Sequence, residues 1–168
     1  MAKIKGRFDL FARWVRESKD PMFDAHIMTT CRLIDASSTG KSVFELDLDL
    51  RYSNRGKILH GGAAALLLDQ FTASAFIPFP VKFEEQKFKP PGGLTWNLNM
   101  TCLRPLPLPA TVVIESQVVH RGSTMGLVRG AIMSQDRQKT YFVCEQSKVE
   151  AIALEIAKKV EVSAVSKL

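Results

Sequence analysis

Between residues 58 and 80 the chain carries one charged side chain, Asp69, in a run otherwise dominated by Ala, Leu, Gly and Phe. Residues 63–68 have the strongest helix propensity in the sequence. A helix of some fifteen residues would measure about 22 Å, and being apolar nearly all round it has to be buried. His60, Asp69, Gln70 and Pro78 interrupt the run, so it does not read as a lipid-spanning helix. The rest of the chain must therefore wrap it.

Strand-like runs flank the helix on both sides. From residue 27 to 50 the period is two, clearest where Phe44, Leu46, Leu48 and Leu50 alternate with Glu45, Asp47 and Asp49, the pattern of a strand with one wet face. Ser37-Ser38-Thr39-Gly40 is a turn signal and predicts a hairpin of residues 29–36 and 41–50. After the helix, Leu94, Trp96, Leu98, Met100 and Cys102 alternate with Thr95, Asn97, Asn99 and Thr101. Residues 110–120, 125–135 and 139–149 are further β-rich runs, and together with the first they read as an antiparallel meander. The predicted fold is α+β, a curved antiparallel sheet wrapped around a long central helix.

A chain of 168 residues buries roughly 70% of its unfolded surface in a single core. Its 46% hydrophobic and 24% charged residues are those of an ordinary globular domain. Phe8, Phe11, Trp14 and Val15 have helical spacing ahead of Asp20-Pro21, so residues 1–22 are expected to form a helical lid on the body at 23–150. Residues 78–93, with four prolines, read as an exposed loop. Val149, Ile152, Ile156 and Val160 have helical spacing and lead into a tail at 151–168. That tail ends in Ser166-Lys167-Leu168, the tripeptide read by the peroxisomal import receptor, so a peroxisomal location is expected. Cys31, Cys102 and Cys144 form no C-x-x-C pair and read as small buried hydrophobes of a reducing compartment.

Two features of the helical run carry chemistry. Asp69 sits in an element that patterning buries, and a buried carboxylate is costly unless it is paired, hydrogen-bonded or used. Gly62, Ala65, Ala73 and Phe76 share its helical face, and three of these are small enough for a backbone or ligand to approach. Satisfaction by a neighbouring strand's amides, or by a Lys or Arg across an interface, is the alternative to a functional acid. At the helix start, His60-Gly61-Gly62 gathers free N–H groups at the positive end of the helix dipole, a corner suited to an oxyanion. Gly61 and Asp69 are a little over two turns apart, so their joint use on one substrate group requires two chains.

Asn54-x-Gly56-x-x-Leu59-His60-Gly61-Gly62, the apolar helix with Asp69, and Gly93-Leu94-Thr95-Trp96-Asn97-Leu98-Asn99 together resemble the hotdog-fold acyl-CoA thioesterases of the phenylacetate-pathway type. The likeness spans about residues 23–149. It implies a hotdog fold and a homodimer, often paired into a tetramer, with each site drawing on two protomers. It also implies that the Gly61 N–H polarises the thioester carbonyl, that Asn54 assists, and that Asp69 of the other protomer is base or nucleophile. Thr95 then stands where relatives orient the attacking water, and His60 is either structural or catalytic. No metal or separate cofactor is implied, since coenzyme A is part of the substrate.

The charge is +6, from 23 Lys and Arg against 17 Asp and Glu, which favours an anionic partner. Coenzyme A phosphates fit, with Gly62, Arg104, Arg121 and Lys139 as candidate substrate-binding residues. Nucleic acid does not fit, because the basic residues are scattered among acids without aromatic interleaving. His26 and His120 lack partners at metal-ligand spacing. A catalytically silent acyl-CoA-binding protein is the main alternative. An enoyl-CoA hydratase on the same fold is a weaker one, since its Asp-x-Asn-Pro-x-His stretch is absent from the sequence.

Overall fold

The computed structural model describes residues 6–9, 13, 17, 25–79, 93–123 and 125–149. Along the chain these form helix α1 (Ala25–Thr30), strands β1 (Arg32–Ser37) and β2 (Lys41–Leu48), a 3₁₀ turn at Leu50–Tyr52, and helix α2 (Gly61–Ser74). Strands β3 (Leu94–Cys102), β4 (Ala110–Arg121), β5 (Met125–Ser134) and β6 (Thr140–Val149) follow. All pairings are antiparallel, and the six-stranded sheet has the order β1-β2-β4-β5-β6-β3. The expected hairpin is present as β1 and β2, whose wet face carries Arg32 paired to Glu45 and Asp47, each at 2.8 Å.

Four expectations need correction. Residues 27–30, where a period of two was read, belong to α1: Ile27 is fully buried and the Thr30 hydroxyl bonds back to the carbonyls of His26 and Ile27. Only β4, β5 and β6 form a meander, while β3 crosses to the far edge and pairs with β6. The 103–109 connection makes that crossing possible by burying Leu106 and Leu108, with Leu106 O accepting from Leu59 N at 2.8 Å. Of the cysteines only Cys144 is buried, and Cys102 is exposed on the edge strand. Finally, α2 is covered on one side: Ala64, Leu67, Leu68, Phe71, Thr72 and Ser74 are buried, whereas Ala65, Leu66, Asp69 and Ala73 are only partly so.

The covered side of α2 is held by close packing. Phe71 lies against Phe44 of β2 with ring centroids 4.9 Å apart. On β5 the chain removes side chains to let the helix approach. A Cβ at Gly130 would lie 2.7 Å from Thr72 Cγ2 and 3.0 Å from Cys144 Sγ, and one at Gly126 would lie 2.6 Å from the Phe76 ring. Interiors packed this tightly leave little freedom to slide, so the angular position of Asp69 on α2 is set against β3 and β6. Phe8 is buried and packs against Phe44. Phe11, Trp14, Val15, most of the 78–93 loop and the 151–168 tail lie outside the described residues.

Candidate active site

Asp69 projects from the partly covered side of α2 toward the β3 edge of the sheet. One of its oxygens, Oδ1, accepts from the Thr95 hydroxyl of β3 at 2.5 Å, from the Lys148 ammonium of β6 at 3.1 Å, and from the Gln146 amide of β6. Gln146 and Lys148 also donate to Thr95 Oγ1, both at 2.9 Å. Thr72 Oγ1 is bonded to the Gln146 Oε1, which keeps the amide nitrogen turned toward the carboxylate. Among the described residues no donor reaches Oδ2.

Asp69 is therefore an acid with one oxygen fastened and the other open. Its side chain is 41% exposed, while Lys148 beside it is 5% exposed. Burial pushes the Asp69 carboxyl upward, but the Thr95 hydroxyl, the Lys148 ammonium and the Gln146 amide outweigh it and hold the group below the ordinary aspartate range. Burial pulls the Lys148 ammonium downward, opposed by its bond to Asp69.

Thr95 reaches Asp69 through a β-bulge. Thr95 pairs with Lys148, but Asn97 pairs with the next residue back, Ser147, so Trp96 is the extra residue. A bulge of this kind shifts the pleat by one residue. Thr95 thus shares the helix-facing side with Leu98 and Met100, and Asn97 and Asn99 face away, contrary to the alternation read from sequence. Trp96 is left 74% exposed.

The second cluster is at the start of α2. His60 is the N-cap, and its Nδ1 accepts from Gly62 N at 2.9 Å. A Cβ at Gly62 would sit 3.1 Å from that nitrogen, so glycine there allows the cap. The structure thus gives His60 a capping bond and ties Gly62 to it. Gly61 N–H has no acceptor among the described residues, and a Cβ added at Gly61 would meet nothing within 4 Å. Asn54 precedes it through a turn in which its Oδ1 accepts from Gly56 N at 2.8 Å and its backbone N–H donates to Ile58 O at 2.8 Å.

The structure brings Asp69 and Thr95 together, and separately His60 with Gly61 and Gly62, while the Asn54 amide oxygen is engaged in its own turn. Eight helical residues separate the two groups by about 12 Å. Arg104 follows β3 and Lys139 precedes β6, both at the end of the sheet nearer Gly61. Arg121 ends β4, opposite Gly126 of β5 and at the other end of the sheet, its guanidinium 5.0 Å from the centre of the Phe79 ring. A ten-residue strand spans about 30 Å, so these three bases do not meet around one phosphate group within a single chain. Gln146 and Lys148 are the members that sequence reading missed. Their signal is faint: on the buried face of β6, Phe142 and Cys144 are followed by two polar residues. No group of three His, Cys, Asp or Glu side chains among the described residues is placed to hold a metal ion.

A six-stranded antiparallel sheet curved over one central helix defines the hotdog class of α+β domains. The chain belongs to the Thioesterase superfamily, whose family model matches residues 56–141. A zebrafish thioesterase superfamily member 2 superposes with a TM-score of 0.69 at 22% identity, over 84% of this chain and 96% of that one. Escherichia coli PaaI, from the phenylacetic acid degradation operon, gives 0.64 at 19%, over 88% and 95%. A hypothetical thioesterase from Streptococcus pneumoniae, solved with coenzyme A, gives 0.61 at 17%, over 72% and 85%. At these identities the likeness speaks to the fold. No match is found among curated proteins.

Proposed function

We propose that the protein is an acyl-CoA thioesterase whose site is completed by a second copy of the chain. The observation that carries this reading is the pairing of an open carboxylate oxygen on Asp69 with an open N–H on Gly61, on one helix but about 12 Å apart. Thioester hydrolysis needs both at one carbonyl: a donor for the developing oxyanion and a carboxylate within a water's reach of the carbon. A partner running antiparallel along β3 brings its Asp69 to the Gly61 of the first chain. β3 suits that role because it is an edge strand with Leu94 and Trp96 exposed at 57% and 74%, and an uncovered apolar edge is a template for pairing.

In this reading the Gly61 amide holds the thioester oxygen, with Asn54 assisting, and the partner copy's Asp69 takes a proton from water as it attacks. The tetrahedral intermediate collapses to free acid and coenzyme A thiolate. The antiparallel arrangement also gathers Arg104 and Lys139 of one chain with Arg121 of the other on the same side, giving the +6 charge a use against phosphates. The coenzyme A bound in the pneumococcal structure supports that substrate class.

Release of free thiol from acyl-CoA of graded chain length tests the assignment. Thiol release at catalytic enzyme concentration is expected, whereas binding without turnover would favour a silent acyl-CoA-binding protein and hydration without thiol release a hydratase. We place the enzyme in the peroxisome on Ser166-Lys167-Leu168. A fluorescent fusion at the N-terminus is expected to be punctate and to become diffuse when Leu168 is removed, and a fusion that is diffuse from the start would contradict that location.

A further inference from the structure

Lys148 is a buried lysine that no step of the reaction above uses. It is 4% exposed on the helix-facing side of β6, next to Gln146 at 0%. Stability alone accounts poorly for it, since a buried ion pair is commonly matched or surpassed by apolar residues of similar volume. Phe142 and Cys144 occupy the two preceding inward positions of the same strand. The bonds it makes point to a different purpose.

Thr95 Oγ1 has two lone pairs and one hydrogen. Lys148 and Gln146 both donate to it at 2.9 Å, which occupies the lone pairs and directs the hydrogen to Asp69 at 2.5 Å. Lys148 then donates to the same Asp69 oxygen at 3.1 Å. Rotating the Gln146 amide would set its oxygen against the carboxylate, and its bond with Thr72 holds it the other way. The donors of Lys148 and Gln146 converge on Oδ1 and Thr95, and among the described residues none reaches Oδ2.

We propose that Lys148 is a positioning residue, which together with Gln146 fastens Oδ1 of Asp69 and the Thr95 hydroxyl so that Oδ2 is presented, ionised, to the reacting thioester. The inference rests on the thioesterase reading for its consequence, but the clamp itself is a property of the resting protein. Lys148 and Cys144 are the titratable groups that face Asp69 from β6, and burial pushes the Cys144 thiol up to about 11, leaving it neutral. Among the described residues β3 offers Thr95, Leu98 and Met100, while β2, β4 and β5 turn Phe44, Leu46, Ile114, Val128, Gly130 and other uncharged residues toward α2. Lys148 is therefore the one cation acting on the carboxylate from within the chain's described residues.

Lys148→Met keeps an unbranched side chain one atom shorter and removes the charge. It is expected to lower kcat by at least ~10-fold, as misplacement of a reacting group does, with KM within about threefold of wild type. The acidic limb of its kcat/KM profile should move to higher pH by about one unit or more, the effect of removing a neighbouring opposite charge. Retention of kcat within about twofold, with an unmoved acidic limb, would overturn the proposal. If the variant does not fold, the 13C resonance of the Asp69 carboxyl in substrate-free wild-type protein decides, assigned by its loss in Asp69→Asn. A midpoint below the ordinary value of about 3.9 is expected, and one at or above it sinks the clamp. A wild-type protein that hydrolyses no thioester would refute the functional reading and leave this titration to judge the clamp.

Discussion

Gly61→Pro is expected to lower kcat on acyl-CoA by 10²- to 10³-fold, the range seen when one oxyanion donor is removed, while the fold stays intact. The substitution suits this position for three reasons. Gly61 is the first residue of α2, where proline is tolerated because the N–H has no intrahelical partner. His60 before it has φ −67° and ψ 135°, the extended conformation that a residue preceding proline requires. A Cβ at Gly61 meets nothing within 4 Å. Gly61→Ala keeps the N–H and controls for bulk, so it is expected to retain most of the activity. Urea unfolding of the proline variant should shift by no more than about 1 kcal/mol, in either direction. An active Gly61→Pro enzyme would remove the amide from the mechanism.

Asp69→Asn is expected to lower kcat by at least 10²-fold, the contribution of a positioned base, with the proposed dimer preserved. Asparagine still offers an oxygen to Thr95, Gln146 and Lys148, so the cluster keeps its shape and loses its charge. Here stability should also suffer, unlike in the proline variant, because Lys148 is 5% exposed and loses its counter-ion. Burial already pulls the Lys148 ammonium downward against Asp69, and removing Asp69 leaves that pull unopposed. Between the depressed folded value and the ordinary value of about 10.4 the unfolded chain binds more protons, so stability rises with pH in that window. The deficit of Asp69→Asn relative to wild type should therefore be largest at neutral pH and shrink toward pH 10. Thermal unfolding as a function of pH reads this directly, and a deficit independent of pH would mean that Lys148 does not depend on Asp69.

The central helix was legible because an almost chargeless helix-forming run has one solution, burial, and the β-rich runs around it supply the means. Asp69 was legible for the same reason, as the lone charge in that run. The order of the strands was not, since nothing in the alternation of residues 94–102 says whether that strand pairs with β4 or with β6. The bulge at Trp96 also escaped, because an extra residue leaves the apolar and polar types alternating while it turns Thr95 to the other face. Lys148 and Gln146 escaped because their meaning lies across the sheet. They are ordinary strand residues until pairing sets Lys148 opposite Thr95 and Gln146 opposite Leu98, beside a helix that carries the acid.

The proposed site needs Gly61 from one chain and Asp69 from another. Mixed dimers containing one Gly61→Pro chain and one Asp69→Asn chain, isolated by separate affinity tags, test this most directly. In a two-fold symmetric dimer one composite site then carries both substitutions and the other carries neither. The predicted result is about half the wild-type kcat per dimer, from two parents that are each nearly inactive. Mixed dimers no more active than either parent would show that Gly61 and Asp69 of the same chain act together, and would contradict the shared site.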